Sequence, residues 1–582
     1  MKTILITFLL SSTFLFSQSD GQWLTKFEKS GFVSTADYTE TMQYFQNLAD
    51  NSVYAKLLSF GISPQGRELK CLVVSKDKVF TPDEIKRQNK PIVFIINGIH
   101  AGEIEGKDAS KLLLREILIT KEKEYLIDNT VLMIVPIFSV DGHERKSKYN
   151  RINQDGPEEM GWRTTAQGYN LNREWMKADA PEMQSMLKLI SEWDPDFIID
   201  NHTTNGADYQ YTVTYQVERF ANINSKTADW LKEKFVPHLI KNVEDTGYLI
   251  FPYVALRNWR EGLDSGISDW ASGPRLSTGY FALQNRPSLL VETHMIKPYK
   301  ERVYSTLAVL ETTIDFVNKN TEEILDINRE ADEKAVEDFY HHQNYLPLSF
   351  SASDKFEEVE FKGIEYHDED SEISGSKKIV YTGKPKNMIV KYYNDVQVRD
   401  SVKTAKVYYI PAEWKVIVDR LKLHGIEVEE VTKSIEVEVT RYKFKNIKMN
   451  TNSSEGRHRA NFDYDTYKEK VIIPPGTFYV STNQRTVRII SHLLEPKSPD
   501  SFVQWGFMNT IFEQKEYFEN YVMEPMAEEM LKMYPALKKE FEKKLSEDES
   551  FRNNPYERLN FFYKRTSYWD KELNVYPVMR VD

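Results

Sequence analysis

The stretch PIVFIINGIHAGEIEGKDAS, residues 91–110, contains the clearest indication of the fold class. It begins with a nearly continuous aliphatic run, which is typical of a strand buried on both faces of a sheet. The run stops abruptly, and His100 and Glu103 follow in a short loop. The next segment, DASKLLLREILI at 108–119, has helical periodicity. This succession indicates an α/β fold, in which functional groups lie at the carboxyl ends of strands.

The same alternation recurs through residues 20–330. CLVVS, TVLMIVPIF, DFIIDNH and SLLVETH are short apolar runs, while PEMQSMLKLISEW (181–193) and ERVYSTLAVLETTIDFVNK (301–319) have helical periodicity. The pattern predicts an α/β domain over 19–330, with a mixed sheet and helices on both faces. Beyond residue 345 the chain changes to alternating strands such as SIEVEVTRYKF and to amphipathic helices. We predict that 345–582 is a C-terminal accessory α+β region without catalytic residues.

Composition and the N-terminus narrow the class of protein. A net charge of −12 without long blocks of one sign argues against nucleic acid or an anionic membrane surface as a partner. Lys2 precedes an apolar run from Ile4 to Phe16, which predicts a signal peptide over 1–18, export and no membrane anchor. The single cysteine, Cys71, excludes an intramolecular disulfide. An exported protein without disulfides indicates the bacterial periplasm or exterior.

Polar residues stand at three predicted strand ends. His100 and Glu103 follow PIVFIIN, His202 follows DFIID, and Glu292 lies within SLLVETH. A catalytic zinc ion commonly takes two histidines and one carboxylate and leaves a fourth position for water. The pKa of that water falls toward about 7, and a carboxylate outside the ligand set can take its proton. Glu292 is the candidate for that carboxylate.

The segment GWRTTAQGYNLNREW, residues 161–175, supplies candidate substrate-binding groups. Arg163, Asn172 and Arg173 place several hydrogen-bond donors in a short stretch between glycines and aromatic residues. An arginine side chain can bind a carboxylate through two parallel hydrogen bonds. A fixed cation also stabilises an oxyanion that forms beside a metal. The segment therefore predicts recognition of an anionic substrate group.

The order of these motifs resembles the zinc metallocarboxypeptidases of the M14 type over about residues 40–320. H-x-x-E comes first, then GYNLNR, then a strand-end histidine and finally a glutamate on a later strand. The resemblance implies an α/β/α sandwich around a mixed eight-stranded sheet. It also implies one zinc ion per chain, held by His100, Glu103 and His202. Glu292 would then act as general base and afterwards as general acid.

The same resemblance assigns the substrate contacts. Asn172 and Arg173 would anchor the terminal carboxylate of a peptide. Arg163 follows Trp162, as the family's arginine that polarises the scissile carbonyl follows a tryptophan. Arg151 is the alternative for that role, and we prefer Arg163.

The chain departs from the family pattern at two positions. Asn170 stands where the family has an aspartate bonded to the first ligand histidine, so we expect His100 to be less basic and zinc to bind less tightly. Asp200, two residues before His202, is a candidate for compensating this loss. The family's mobile tyrosine is missing from its expected place in SDWASG, and Tyr280 is the candidate substitute. Pocket residues are expected around Ser277–Tyr280, and the absence there of an obvious charged residue favours a neutral or apolar substrate side chain.

The leading hypothesis is an exported zinc carboxypeptidase that cuts the C-terminal peptide bond of peptides with a free carboxylate. One alternative is a zinc amidase of the same fold, acting on cell-wall peptides or N-acyl amino acids. A second alternative, from another class, is an inactive peptide-binding module. The complete ligand set together with Glu292 argues against an inactive module, since such a protein needs neither.

Overall fold

The computed structural model describes residues 21–204 and 207–582, so the predicted signal peptide lies outside the described residues. The chain forms two compact units. The first contains residues up to 404 together with 420–427 and 482–500. The second contains Ala405–Asp419, Val428–Ser481 and Ser501–Asp582. Among the described residues, no helix combines the length and apolar character that a membrane crossing needs.

The first unit is built on a mixed sheet of eight strands in the order β1-β2-β4-β3-β5-β10-β6-β7. Its inner strands β3, β4, β5 and β10 run parallel to one another. Strand β1 pairs antiparallel with β2, β2 with β4, and β6 with β10, whereas β6 and the edge strand β7 are parallel. The strands of this unit are β1 Ala55–Ile62, β2 Glu68–Val74, β3 Ile92–Asn97, β4 Val131–Val135, β5 Phe197–Thr204, β6 Val213–Val217, β7 Ile250–Pro252, β8 Ala255–Leu256, β9 Ile267–Ser268, β10 Ser288–His294, β11 Tyr345–Ala352, β12 Glu357–Ser371, β13 Ser376–Tyr393 and β14 Val396–Lys403.

Helices α2, α4, α8 and α10 contribute apolar residues to the core of the large sheet. The helices that lie wholly or partly in the first unit are listed next; α12 is divided between the two units after Asp419. They are α1 Lys26–Lys29, α2 Tyr38–Asp50, α3 Pro82–Gln88, α4 Glu105–Leu118, α5 Val140–Glu144, α6 Pro181–Trp193, α7 Ser225–Trp230, α8 Val236–Asp245, α9 Ser277–Leu283, α10 Tyr299–Lys319, α11 Thr321–Val336, α12 Lys415–Leu423 and α13 Val487–Leu494. All residues of β3, β4 and β5 are buried, as the continuous apolar runs predict. The predicted α/β fold with an eight-stranded mixed sheet is confirmed.

Residues 345–404 belong to the first unit, which differs from the predicted boundary at 345. The long hairpin β12–β13 continues the short strands β8 and β9. Phe361 and Val390 of the hairpin share an apolar cluster with Tyr209, Tyr211 and Ile267. This packing joins the hairpin to loops of the same unit as the large sheet. The change near residue 345 from long apolar runs to alternating apolar and polar residues therefore does not mark where the first compact unit ends.

The second unit contains a six-stranded sheet in the order β16-β19-β15-β20-β17-β18, formed by antiparallel pairs. Its strands are β15 Val407–Ile410, β16 Glu429–Glu430, β17 Ile435–Met449, β18 Ala460–Ile473, β19 Phe478–Ser481 and β20 Met579–Val581. Its remaining helices are α14 Asn520–Met533, α15 Pro535–Glu547, α16 Glu549–Arg552 and α17 Pro555–Tyr563, which share a small apolar core. The α+β character expected for this part of the chain is observed.

Candidate metal and substrate site

The loop between β3 and α4 brings His100 and Glu103 together. Gly98 lies just after β3 with φ +64°, a conformation that side chains other than glycine's rarely adopt, and it turns the chain out of the sheet. The N–H of Glu103 then donates to the carbonyl of His100 at 2.9 Å, which closes a turn. Both side chains are buried, with 5% and 3% of the residue exposed. The loop thus presents an imidazole and a carboxylate to the same point.

His202 reaches this point from β5, which is the neighbour of β3 in the sheet. Its Nδ1 lies 2.9 Å from Glu103 Oε2 and 3.3 Å from His100 Nδ1. The Nδ1 atom of His100 lies 3.0 Å from the same carboxylate oxygen. One potential ligand atom from each of the three residues lies within 4.8 Å of the others, so the group could hold a metal ion.

Polar groups behind the two histidines fix the ring orientations. His100 Nε2 lies 3.0 Å from Asn170 Oδ1, and His202 Nε2 lies 2.9 Å from Asp200 Oδ2. Each ring therefore turns Nδ1 toward the centre of the group. The predicted contact between Asn170 and His100 is confirmed. Asp200 supports His202 and not His100, so the charged partner lies behind one ring and a neutral partner behind the other.

The electrostatics of the three-residue centre favour a positive charge there. Burial lowers the pKa of His100 to about 4, which keeps its imidazole neutral and able to donate a lone pair. Burial alone would raise the pKa of Glu103, but His100 and Arg151 hold it well below its usual range. Burial would likewise lower the pKa of His202, yet Asp200 and Glu103 raise it well above the ordinary value. The centre attracts positive charge, and two imidazoles with one carboxylate are a donor set that zinc accepts.

Glu292 lies on β10, directly opposite His202 in the paired strands, and lines the same cavity. Burial raises the pKa of Glu292 to about 8; the neighbouring His202 opposes this effect and Glu103 reinforces it. Its carboxyl group is thus adjacent to the three-residue centre without being part of it. The structure places Glu292 where the sequence predicts.

A cavity of about 660 Å³ opens over the centre. Besides the three candidate ligands and Glu292, it is lined by residues that include Tyr149, Arg151, Ile152, Trp162, Arg163, Asn172, Arg173, Thr203, Thr204, Gln216, Tyr253, Trp270, Ser272, Leu276, Ser277, Thr278 and Leu290. The structure therefore gathers Arg163, Asn172 and Arg173 beside the centre. Ser277 and Thr278 were expected at the pocket, and they line it.

Asn172 and Arg173 lie on a 3-10 turn, Leu171–Arg173, that begins after Asn170. Asn172 Oδ1 accepts hydrogen bonds from the Ser277 N–H at 3.0 Å and from Trp175 Nε1 at 3.2 Å. Its amide nitrogen is therefore the part of the side chain left to donate toward the cavity. Arg173 Nη1 donates to the carbonyl of Asn172 at 2.7 Å, which holds the guanidinium at the cavity wall.

Two arginines approach the centre. Arg151 Nη2 donates to Glu103 Oε1 at 2.6 Å and its Nε donates to Gln154 at 3.1 Å, so its side chain is held in place. Arg163 contacts the same Glu103 oxygen at 3.4 Å, and 44% of its side chain is exposed to the cavity and solvent. Arg163 is thus the better placed of the two to meet a substrate.

Tyr280, which was predicted to contact substrate, is not among the residues that line the cavity. Tyr280 lies fully buried in α9, and its hydroxyl contacts His424 Nδ1 at 3.1 Å and Gln284 Nε2 at 2.9 Å. The turn of the helix points this residue into the core, while Ser277 and Thr278 face the cavity.

Tyr253, which sequence reasoning missed, does line the cavity, and its hydroxyl accepts a hydrogen bond from Thr204 Oγ1 at 2.8 Å. Burial raises the pKa of Tyr253, so its hydroxyl keeps its proton. The signal that could have found it is its position directly after the β7 run LIFP.

Comparison with known proteins agrees with this geometry. Residues 41–305 match the family model described as "Zinc carboxypeptidase". Carboxypeptidase 2 of Trichophyton rubrum is 21% identical over 490 residues, covering 81% of this chain and 84% of the relative. Carboxypeptidase 2 of Trichophyton tonsurans is 19% identical and covers 76% of this chain and 78% of its own length. The enzyme class is therefore that of the zinc metallocarboxypeptidases, which are hydrolases.

Solved structures with similarity to the chain include a metallo-carboxypeptidase from Burkholderia cenocepacia, at 17% identity and a TM-score of 0.36, covering 49% of this chain and 70% of that one. Another is a metallo-carboxypeptidase from Pseudomonas aeruginosa in complex with (2-guanidinoethylmercapto)succinic acid. It has 16% identity and a TM-score of 0.35, and the match covers 50% of this chain and 70% of that one.

Proposed function

We propose that the protein removes the C-terminal residue from peptides that carry a free carboxylate. One observation carries the proposal: a single cavity contains the candidate ligand set, the carboxyl group of Glu292 and the guanidinium of Arg173. The first two are the parts needed to hydrolyse an amide bond. The third restricts the reaction to a bond next to a terminal carboxylate, because its planar fork suits that group.

One zinc ion per chain would be held by His100 Nδ1, His202 Nδ1 and a Glu103 oxygen. The neutral ring of His100, the ionised Glu103 and the hydrogen bonds behind both rings support this assignment. When bound, zinc supplies Lewis-acid chemistry to the carbonyl and to water.

Glu292 moves the proton. A carboxyl group whose pKa lies near the working pH can both accept and return a proton, and burial places Glu292 in that range. It accepts a proton from the attacking water and then gives it to the leaving amine nitrogen. The bond that breaks is the peptide C–N bond, and the proton lost by water ends on the new amine.

The remaining polar groups orient the substrate. Arg173 and the amide nitrogen of Asn172 bind the terminal carboxylate, which sets the distance from the carboxylate to the scissile bond. Arg163 donates to the carbonyl oxygen, where negative charge develops as the water attacks. We assign Tyr253 a hydrogen bond to the bound peptide, the role that was predicted for Tyr280.

We also propose that the protein is exported. The support is the order of Lys2, the apolar run from Ile4 to Phe16 and the polar exit that follows. Secretion assays of the full chain, with Lys2 and the apolar run altered, would test it.

The decisive experiment compares two peptides that differ only in a free or an amidated C-terminus. We expect release of the last residue from the free peptide and no cleavage of the amidated one. Arg173→Lys keeps the charge but loses the planar fork, so KM for the free peptide should rise strongly. Arg329→Lys, on an exposed position of α11, is the matched control and should behave as wild type. Equal cleavage of both peptides by the wild type would refute carboxylate recognition.

A further inference from the structure

The loop Ala271–Leu276 forms one side of the substrate cavity, beside the candidate carboxylate anchor. Its residues Ser272 and Leu276 line the cavity together with Arg173. Helix α9 begins directly after the loop, at Ser277, which also lines the cavity. The position of the loop therefore sets the position of the first turn of α9.

Ser277 connects this loop with both the substrate anchor and the candidate metal centre. Its N–H donates to Asn172 Oδ1 at 3.0 Å, which leaves the amide nitrogen of Asn172 to donate toward the cavity. Its hydroxyl donates to Asp200 Oδ2 at 2.5 Å, and the same carboxylate oxygen lies 2.9 Å from His202 Nε2. A backbone N–H moves with the chain, whereas a hydroxyl can rotate to follow its partner. A shift of the loop would therefore release Asn172 before it disturbs Asp200.

The loop is held on one side by an ion pair with Asp500. Arg275 Nε lies 2.9 Å from Asp500 Oδ1, and only 2% of the Asp500 side chain is exposed. Arg275 Nη2 also donates to the carbonyl of Pro499 at 3.3 Å. A buried carboxylate depends on its paired cation, so this contact is strongly favoured in the folded protein. Both partners of Arg275 lie in the downstream segment, residues 482–500 of the first unit, far beyond the family-matched residues 41–305.

The downstream segment also supports the other side of the loop, through two intermediate residues. The N–H of Ser272 donates to the buried carboxylate of Glu218 at 3.3 Å. Asn222 Nδ2 donates to the same carboxylate, and the carbonyl of Asn222 accepts a hydrogen bond from Arg488 in α13. All residues of α13 are buried, so Arg488 is held in place. The downstream segment thus reaches the loop from two sides.

We propose that Asp500 is a positioning residue for substrate binding. Its ion pair with Arg275 fixes the loop, and the fixed loop keeps the N–H of Ser277 on Asn172 Oδ1. Asn172 then holds its amide nitrogen toward the terminal carboxylate of the substrate. The inference rests on the proposed function, since Asn172 must bind that carboxylate. A segment outside the family-matched region thereby contributes to substrate affinity without lying in the family-matched part of the chain.

Steady-state kinetics of Asp500→Asn on a peptide with a free C-terminus test the proposal. Asparagine keeps the shape of the side chain but removes its charge, so the loop loses its ion pair and Asn172 its fixed orientation. We expect KM to rise about three- to tenfold, the factor of one net hydrogen bond, while kcat stays within about twofold of wild type. The zinc affinity, measured by competition with a chelator, should not change.

The matched control is Arg485→Gln, in the same downstream segment. Arg485 pairs with Asp194 at 3.0 Å, and Asp194 keeps a second cation, Arg286, when Arg485 is replaced. The Arg485 side chain is 28% exposed, against 26% for Arg275, and it does not line the substrate cavity. KM of this variant should equal that of wild type.

A second variant covers the case in which Asp500→Asn does not fold. Arg275→Gln combined with Asp500→Asn removes the ion pair without leaving an unpaired buried charge. Because both variants lack the same interaction, the double variant should show the same rise in KM as Asp500→Asn and not a larger one.

An ion pair that serves only stability would lower the midpoint of thermal unfolding and leave KM unchanged. Unchanged KM in a folded variant that lacks the pair would therefore overturn the inference. An equal rise in KM for Arg485→Gln would also overturn it, because the effect would then not depend on the loop. Failure of the wild type to cleave any peptide with a free carboxylate would instead overturn the proposed function, and the inference with it.

Discussion

Replacing Asp200 by asparagine should weaken zinc binding while leaving the geometry of the site intact. Asp200 Oδ2 lies 2.9 Å from His202 Nε2 and accepts a hydrogen bond from Ser277 Oγ at 2.5 Å. Asparagine can still accept a hydrogen bond through its oxygen but carries no charge. The variant therefore removes the electrostatic support of the ring and retains its orientation.

The magnitude follows from the role of such partners. Changing a group that orients a metal-bound histidine typically lowers metal affinity 10–100-fold, which is about 1.4–2.7 kcal/mol. The opposite substitution can be made at the other histidine, because His100 has a neutral partner, Asn170, at 3.0 Å. Asn170→Asp adds the charge that Asp200→Asn removes, so it should tighten zinc binding by about tenfold.

Competition with a chromophoric chelator gives the zinc dissociation constant without any need for activity. Circular dichroism of each variant serves as the control for folding. Opposite shifts for Asp200→Asn and Asn170→Asp would show that charge on the partner sets ligand strength. If both variants weaken zinc binding, the two contacts matter for the orientation of the rings and not for their charge. If the zinc affinity of both variants stays within about twofold of wild type, the proposed electrostatic effect is refuted.

Glu292→Gln should retain zinc and substrate binding while kcat falls by about 10²–10⁴-fold, measured by kinetics and metal analysis; loss of zinc would make Glu292 a ligand. Burial raises the pKa of Glu182 to about 7 from an ordinary 4.5, so the folded protein keeps a proton that the unfolded chain releases in this window. The free energy of unfolding should therefore decrease by about 3 kcal/mol as the pH rises from 4.5 to 7. Urea unfolding of Glu182→Gln should not show this decrease. The same pH dependence in wild type and Glu182→Gln would contradict the role of Glu182. Arg302→Met leaves the buried carboxylate of Glu105, 2.9 Å from Arg302 Nε, without its cation, and should destabilise by about 3–5 kcal/mol. A thermal melt checks this, and Arg302→Met with Glu105→Gln should recover part of the loss.

The candidate metal centre could be predicted from the sequence because its parts are local. Glu103 is three residues after His100, a spacing that one turn of backbone can bring to a common point. His202 and Glu292 each stand on a short apolar strand, and such strands sit side by side in a doubly covered sheet. The apolar runs predicted the buried strands and hence the fold. The polar residues at their ends predicted that the segments with His100 and Glu103, with His202 and with Glu292 meet at one edge of the sheet.

The contacts of Tyr280 and Tyr253 were decided by tertiary structure. Both are tyrosines near polar loops, and only the rotation of α9 sends Tyr280 into the core toward His424. Periodicity says that a helix has a buried face, but it does not say which cavity the other face borders. Tyr253 lines the substrate cavity because β7 pairs with β6, a contact that its own short run of sequence does not encode.

The sequence by itself determined which strands end in polar motifs, which residue types those motifs contain and which chemistry they support. These features depend on apolar runs and spacings of only a few residues, which can be read directly from the chain. Tertiary structure decided which distant segments complete the first unit, including 420–427 and 482–500. Arg275, for example, pairs with Asp500 and donates to the carbonyl of Pro499, which is 224 residues further along the chain. Loop-closure free energy grows only slowly with chain length, so packing complementarity, not distance along the chain, selects such contacts.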